Sequence, residues 1–91
     1  MIDPDMPEAI TDLGLLLATL GEYEEARAHL ERAAEMSPRD VRVHFNLGGV
    51  YYQLGEREKA MAQYRRTLEL DPGYQKARAM LARLEEEEET E

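Results

Sequence analysis

The chain has 91 residues, 43% hydrophobic and 7% aromatic, with no cysteine and no tryptophan. That allows one small domain with a thin core and excludes disulfides and thiolate metal sites. Net charge is −9, laid out as −7 over residues 1–40, +4 over 41–84 and −6 over 85–91, a balance that repels phosphate backbones and argues against a nucleic-acid partner.

No apolar run approaches the roughly 20 residues that span a bilayer. The opening Met1-Ile2-Asp3-Pro4-Asp5 lacks the basic and apolar regions of a secretion signal. A cytoplasmic protein without a membrane partner is the expectation.

Residues 1–6 read as a leader or as the remnant of an upstream repeat, because Ile2-Asp3-Pro4 lines up with Met36-Ser37-Pro38 and Leu70-Asp71-Pro72. Residues 7–20 form a first helix. Ala9, Leu13, Leu16 and Leu20 share one face, and Ile10, Gly14 and Leu17 an adjacent one. Gly21 suits the left-handed residue just past its end.

Residues 22–36 form a second helix, with Ala26, Leu30 and Ala33 inward and Glu22, Glu24 and Glu25 at its positive end. Ser37-Pro38 breaks it. Ser37 with Asp40 reads as a Ser-x-x-acid cap for the next helix, and Asp40 alone is an equal candidate.

Residues 41–54 repeat the first pattern through Val43, Leu47, Val50 and Leu54, with His44, Gly48 and Tyr51 alongside. Residues 56–70 repeat the second, with Ala60, Tyr64 and Thr67 inward, and Asp71-Pro72-Gly73 forms a turn. Residues 75–84 carry a last helix of the first type through Ala77, Leu81 and Leu84. Residues 85–91 are an acidic tail. Like charges at a helix C-terminus oppose the dipole, so this end is expected to fray.

The period is explicit. Pro4, Pro38 and Pro72 lie 34 residues apart, and residues 7–40 set against 41–74 give eleven identities. A fixed period of this size marks a stacked helical repeat. The chain divides into a leader (1–6), two repeats (7–40 and 41–74), a capping helix (75–84) and the acidic tail (85–91).

Leu47-Gly48-x-x-Tyr51, Ala60-x-x-x-Tyr64 and Pro72 resemble the tetratricopeptide repeat, and Leu13-Gly14-x-x-Leu17, Ala26-x-x-x-Leu30 and Pro38 resemble a second, weaker copy. The resemblance implies an all-α fold, helix-turn-helix pairs stacked as a right-handed superhelix of five helices. It also implies a protein–protein interaction module, an adaptor or scaffold without chemistry of its own. Glycine inside a helix costs about 1 kcal/mol against alanine. Close approach of the partner helix at Ala26 and Ala60 is the expected compensation for Gly14 and Gly48, with Tyr51, Tyr64 and Leu30 filling the space around the contact.

Arrays of this family curve, and the first helix of each pair lines the concave side. The positions left over by packing are Glu8, Thr11, Asp12, Leu15 and Ala18 in the first repeat. In the second they are Arg42, Phe45, Asn46, Gly49, Tyr52 and Gln53, and on the last helix Lys76, Ala79, Met80 and Arg83. The partner-binding groove is therefore assigned to Arg42, Phe45, Asn46, Gly49, Tyr52, Gln53, Lys76, Met80 and Arg83. Cations with aromatics suit a protein or peptide that is acidic and apolar. A carboxylate clamp of the kind some family members use is matched only by Asn46 and Lys76, since Thr11, Leu15 and Met80 stand at its other positions.

Two alternatives accompany this reading. Ala9, Leu13, Leu16 and Leu20 form a self-association face for a homodimer or oligomer, or the chain is a stable fragment of a longer array. No nucleophile motif, phosphate-cradling loop or metal signature is present, and no glutamate pair sits in an apolar setting. The expectation is a non-enzyme without cofactor or metal, with His44 packed in the core and His29 facing solvent.

Overall fold

The computed structural model describes residues 6–89 and contains five helices: α1 (Pro7–Thr19), α2 (Tyr23–Met36), α3 (Val41–Gln53), α4 (Arg57–Leu70) and α5 (Gln75–Glu89). The MIDPD leader lies outside the described residues. So does the end of the acidic tail.

Local chemistry sets each helix end. Pro7 opens α1, where its missing N–H costs nothing. Gly21 and Gly55 take φ of 82° and 79°. Glu22 N–H then donates to the Leu17 carbonyl at 2.8 Å, and Glu56 N–H to the Tyr51 carbonyl at 2.9 Å. These are the long bonds of Schellman caps, closing α1 and α3 alike. Asp40 caps α3, its side chain accepting from Arg42 N–H at 3.0 Å. That decides the N-cap in favour of Asp40 over Ser37. Asp71 accepts from Gly73 N–H at 3.1 Å in the turn before α5.

Packing follows the period. α1 pairs with α2 and α3 with α4, while α2–α3 and α4–α5 contacts stack the pairs. One cluster joins Leu30, Leu47, Val50, Tyr51, Met61, Tyr64 and Leu84, and a smaller one holds Ile10, Ala33 and Val43. The five helices match the all-α repeat architecture implied by the sequence.

Two expectations are corrected, for Thr11 and for the glutamate run, and the close packing expected at the glycines is present. The atoms nearest a β-carbon on Gly14 belong to the Leu30 side chain, at 2.8 Å, with the Ala26 carbonyl oxygen at 3.6 Å. For Gly48 the nearest atom is Tyr64 Cε1, at 2.8 Å. The glycines make room for the large residue one turn beyond each alanine. Thr11, expected on the groove, is 1% exposed, its hydroxyl donating to the Pro7 carbonyl at 2.8 Å. The glutamate run is helical through Glu89 rather than starting a frayed tail at residue 85. His29 is half-buried at the surface, its Nδ1 2.9 Å from the Glu25 carbonyl oxygen in an exposed contact.

Candidate functional site

Helix α3 occupies the centre of the stack. Phe45, Asn46, Gly49 and Gln53 recur at spacings of three and four, so they share one stripe. Opposite them stand Leu15, Ala18 and Thr19 of α1, with Tyr23 at the start of α2, and the cleft between holds about 290 Å³. Phe45 is held from below. Its ring centroid lies 5.7 Å from that of Tyr64 and 4.9 Å from that of Tyr74, both tilted. Rings at these separations attract beyond their area burial.

Burial, with the nearby Tyr52 phenol as the lesser cause, pushes the Tyr64 phenol up to about 12. Tyr64, packed against Phe45, stays neutral at ordinary pH and well above it. Among the described residues, the side-chain amides of Asn46 and Gln53 have no hydrogen-bond partner.

The remaining groove residues stand apart from this cleft. Tyr52 lines a second hollow of about 490 Å³ with Gly55, Arg57, Leu84 and Glu87. Glu87 reaches back to it from α5, 3.8 Å from Arg57 and 3.7 Å from Arg83, and Tyr52 Oη lies 3.5 Å from its carboxylate. Arg83 thus already faces an acid. Lys76 borders a third hollow at the α4–α5 turn with Asp71, Gly73, Tyr74 and Gln75. Met80 is half-buried against the core, and Arg42 is exposed on the first turn of α3.

Sequence reasoning missed Thr19 and Tyr23 as cleft residues and Glu87 as the acid beside Tyr52 and Arg57. A pattern of isolated helix faces carries no signal for Tyr23, which enters from the next helix. For Glu87 the signal was its place four residues after Arg83 on one helix, which singles it out of the glutamate run.

A separate polar cluster ties the two repeats together. The Tyr51 hydroxyl donates to Glu31, and the Lys59 ammonium sits 5.7 Å from the Tyr51 ring centroid. Burial first, then Glu31, raises the Tyr51 phenol well above its ordinary value. Arg27 pairs with Glu24 and stands 3.5 Å from Glu56. Glu56 Oε2 is shielded from solvent and accepts no hydrogen bond among the described residues, so Arg27 holds it by charge alone.

On α1, Leu13, Leu16 and Leu20 are 42%, 55% and 65% exposed, and Ala9 beside them is half-buried. His44 is buried, its Nε2 2.7 Å from the Pro38 carbonyl oxygen and its Nδ1 2.8 Å from the Gln63 side chain. No group of three or more His, Cys, Asp or Glu among the described residues is placed to hold a metal. No helix among them is long and apolar enough to cross a membrane.

Residues 11–75 match the tetratricopeptide repeat profile. No curated protein matches the chain by sequence. Among solved structures, MamA is 28% identical with a TM-score of 0.91, over 94% of this chain and 50% of its own. The first tetratricopeptide domain of Spaghetti (RPAP3), solved with an HSP90 peptide, is 23% identical with a TM-score of 0.88, over 92% and 67%. A mutant O-GlcNAc transferase from Thermobaculum terrenum is 36% identical with a TM-score of 0.84, over 89% and 16%. The chain therefore spans about half the length of MamA and a small part of the transferase.

Proposed function

The chain belongs to the tetratricopeptide repeat family, and on that premise we propose that it is a protein–protein interaction module, an adaptor or scaffold that presents a concave groove to a peptide. The observation that carries this reading is the open cleft between α1 and α3, which gathers Phe45, Asn46, Gly49 and Gln53 on one wall. Phe45 supplies an aromatic anchor locked by Tyr64 and Tyr74, and locked aromatics bind at little entropic cost. In RPAP3 the same fold holds an HSP90 peptide.

Arg42 and Lys76 stand outside the cleft as exposed cations. They suit acidic residues flanking the segment that enters it. Charges so placed steer and select more than they anchor.

A peptide array read at two salt concentrations tests this. Acidic-apolar peptides are expected to bind, less at 0.5 M than at 0.1 M salt, and an Arg42→Glu, Lys76→Glu variant is expected to lose them. Preference for basic peptides, or binding unchanged in that variant, would overturn the reading. Phe45→Ala is a poorer test, because it removes packing beneath the cleft as well.

The exposure of Leu13, Leu16 and Leu20 favours a second reading, self-association through α1. These residues stand one period before Leu47, Val50 and Leu54, the face by which α3 sits on the preceding repeat. A stripe of exposed leucines is the kind of patch that marks interfaces.

A further inference from the structure

We infer that Gly49 is a specificity-determining residue, a notch in the cleft that receives one uncharged, apolar side chain of a bound peptide while Asn46 and Gln53 hold the peptide backbone. The inference rests on the peptide-groove reading and narrows it.

Two adjacent glycines lie in the interior of α3, each costly there relative to alanine. Gly48 has an internal reason. A β-carbon there would meet the Tyr64 ring at 2.8 Å. Gly49 has no such reason. Its β-carbon would meet only the Tyr64 hydroxyl, at 3.8 Å, an ordinary van der Waals contact. The folded chain itself thus leaves room for alanine at 49. What glycine adds at this position is open space on the wall of the cleft.

The period shows what fills that position elsewhere. Residue 49 corresponds to Leu15 one repeat earlier, and Leu15 stands on the opposite wall of the same cleft. The notch is thus a missing leucine facing a leucine.

Chemistry then selects the guest. Leu15, Ala18, Phe45 and Val50 give the cleft an apolar lining with no Asp, Glu, Lys or Arg. A charged side chain seated there would be desolvated without a partner, which is strongly unfavourable. An aliphatic one would be desolvated favourably. Asn46 and Gln53 each offer an amide N–H₂ and a carbonyl oxygen, complementary to a peptide's own N–H and C=O. Neither is engaged by the described residues, so both are available to a guest.

The test is a nitrogen-15 NMR titration with three capped amino acids: the N-acetyl methylamides of leucine, glutamate and lysine. The leucine compound is expected to shift the side-chain amides of Asn46 and Gln53 and the backbone of Gly49, and the charged compounds are not. Gly49→Leu is expected to abolish the leucine response while staying folded by circular dichroism. Gly49→Ala is expected to melt no lower than the parent chain and to respond more weakly. Four results would overturn the inference: a stronger response to glutamate or lysine, no response to any compound, an undiminished response in Gly49→Leu, or a lowered melting temperature in Gly49→Ala. If these occurred while acidic-apolar peptides still bound the array, the groove reading would stand and only the notch would fall.

Discussion

A β-carbon on Gly48 would stand 2.8 Å from Cε1 of Tyr64, and Tyr64 is 1% exposed, closed in by its neighbours. The ring therefore has little space to yield. Gly48→Leu is expected to destabilise the fold by about 1–3 kcal/mol or more, the range for overpacking a tight core. Urea unfolding followed by circular dichroism measures it. A midpoint equal to that of the parent chain would refute the packing argument.

The period and the helix ends were legible because glycine and proline carry backbone geometry directly. Gly21, Gly55 and Pro7 act where the sequence places them. The packing at Gly14 and Gly48 was legible because the repeating alanine marks where two helices close up and Leu30 and Tyr64 follow it one turn on. Thr11 was misplaced because its hydroxyl satisfies itself on the Pro7 carbonyl, which lets a polar residue enter the core. Of the candidate cleft, only the α3 stripe of Phe45, Asn46, Gly49 and Gln53 follows from helical spacing. Which α1 and α5 residues face α3 depends on interhelical register, and a one-dimensional pattern does not encode how Glu87 comes to Tyr52 of α3 and Arg57 of α4.

Alkaline pH is expected to unfold the chain through its buried phenols. The Tyr64 phenol is raised from 10.0 to about 12, and Tyr51 is raised further in the same direction. A raised folded value means that the native state keeps a proton the unfolded state loses above pH 10. Their contribution is thus fully present below about pH 10 and lost as pH climbs toward 12 and beyond. Urea midpoints at pH 8, 10 and 11.5 should fall over the last interval. Tyr51→Phe should show a shallower fall than the parent chain. Equal slopes would remove Tyr51 from the account.

His44 links α3 to the Pro38 carbonyl and to Gln63 of α4. His44→Leu keeps an apolar filling but removes two part-buried bonds, to the Pro38 carbonyl and the Gln63 side chain. The expected loss is about 1–2 kcal/mol, because solvent can reach the exposed Pro38 and the half-buried Gln63 in place of the lost partner. His44→Gln, which can restore one of the two bonds, should lose less. Thermal melts at constant pH would order the three proteins, and a His44→Leu melt matching the parent would show the bonds to be dispensable.

The leucine stripe of α1 gives the sharpest separation of fold from association. Leu13 and Leu16 are 42% and 55% exposed, so charge at either position enters solvent rather than the core. Neither belongs to the two buried clusters. Leu13→Glu with Leu16→Glu is therefore expected to leave helicity intact. Surface changes away from buried features usually stay within about 0.5 kcal/mol. If copies of the chain pair through α1, the same change places charges inside a desolvated contact, where unpaired charge is strongly disfavoured. Sedimentation equilibrium at tens of micromolar should then give a dimer mass for the parent chain and a monomer mass for the variant. Because residues 1–40 carry a net −7, added salt should strengthen such a contact by screening like charges across it. A monomeric parent chain at low and high salt would exclude self-association through this face.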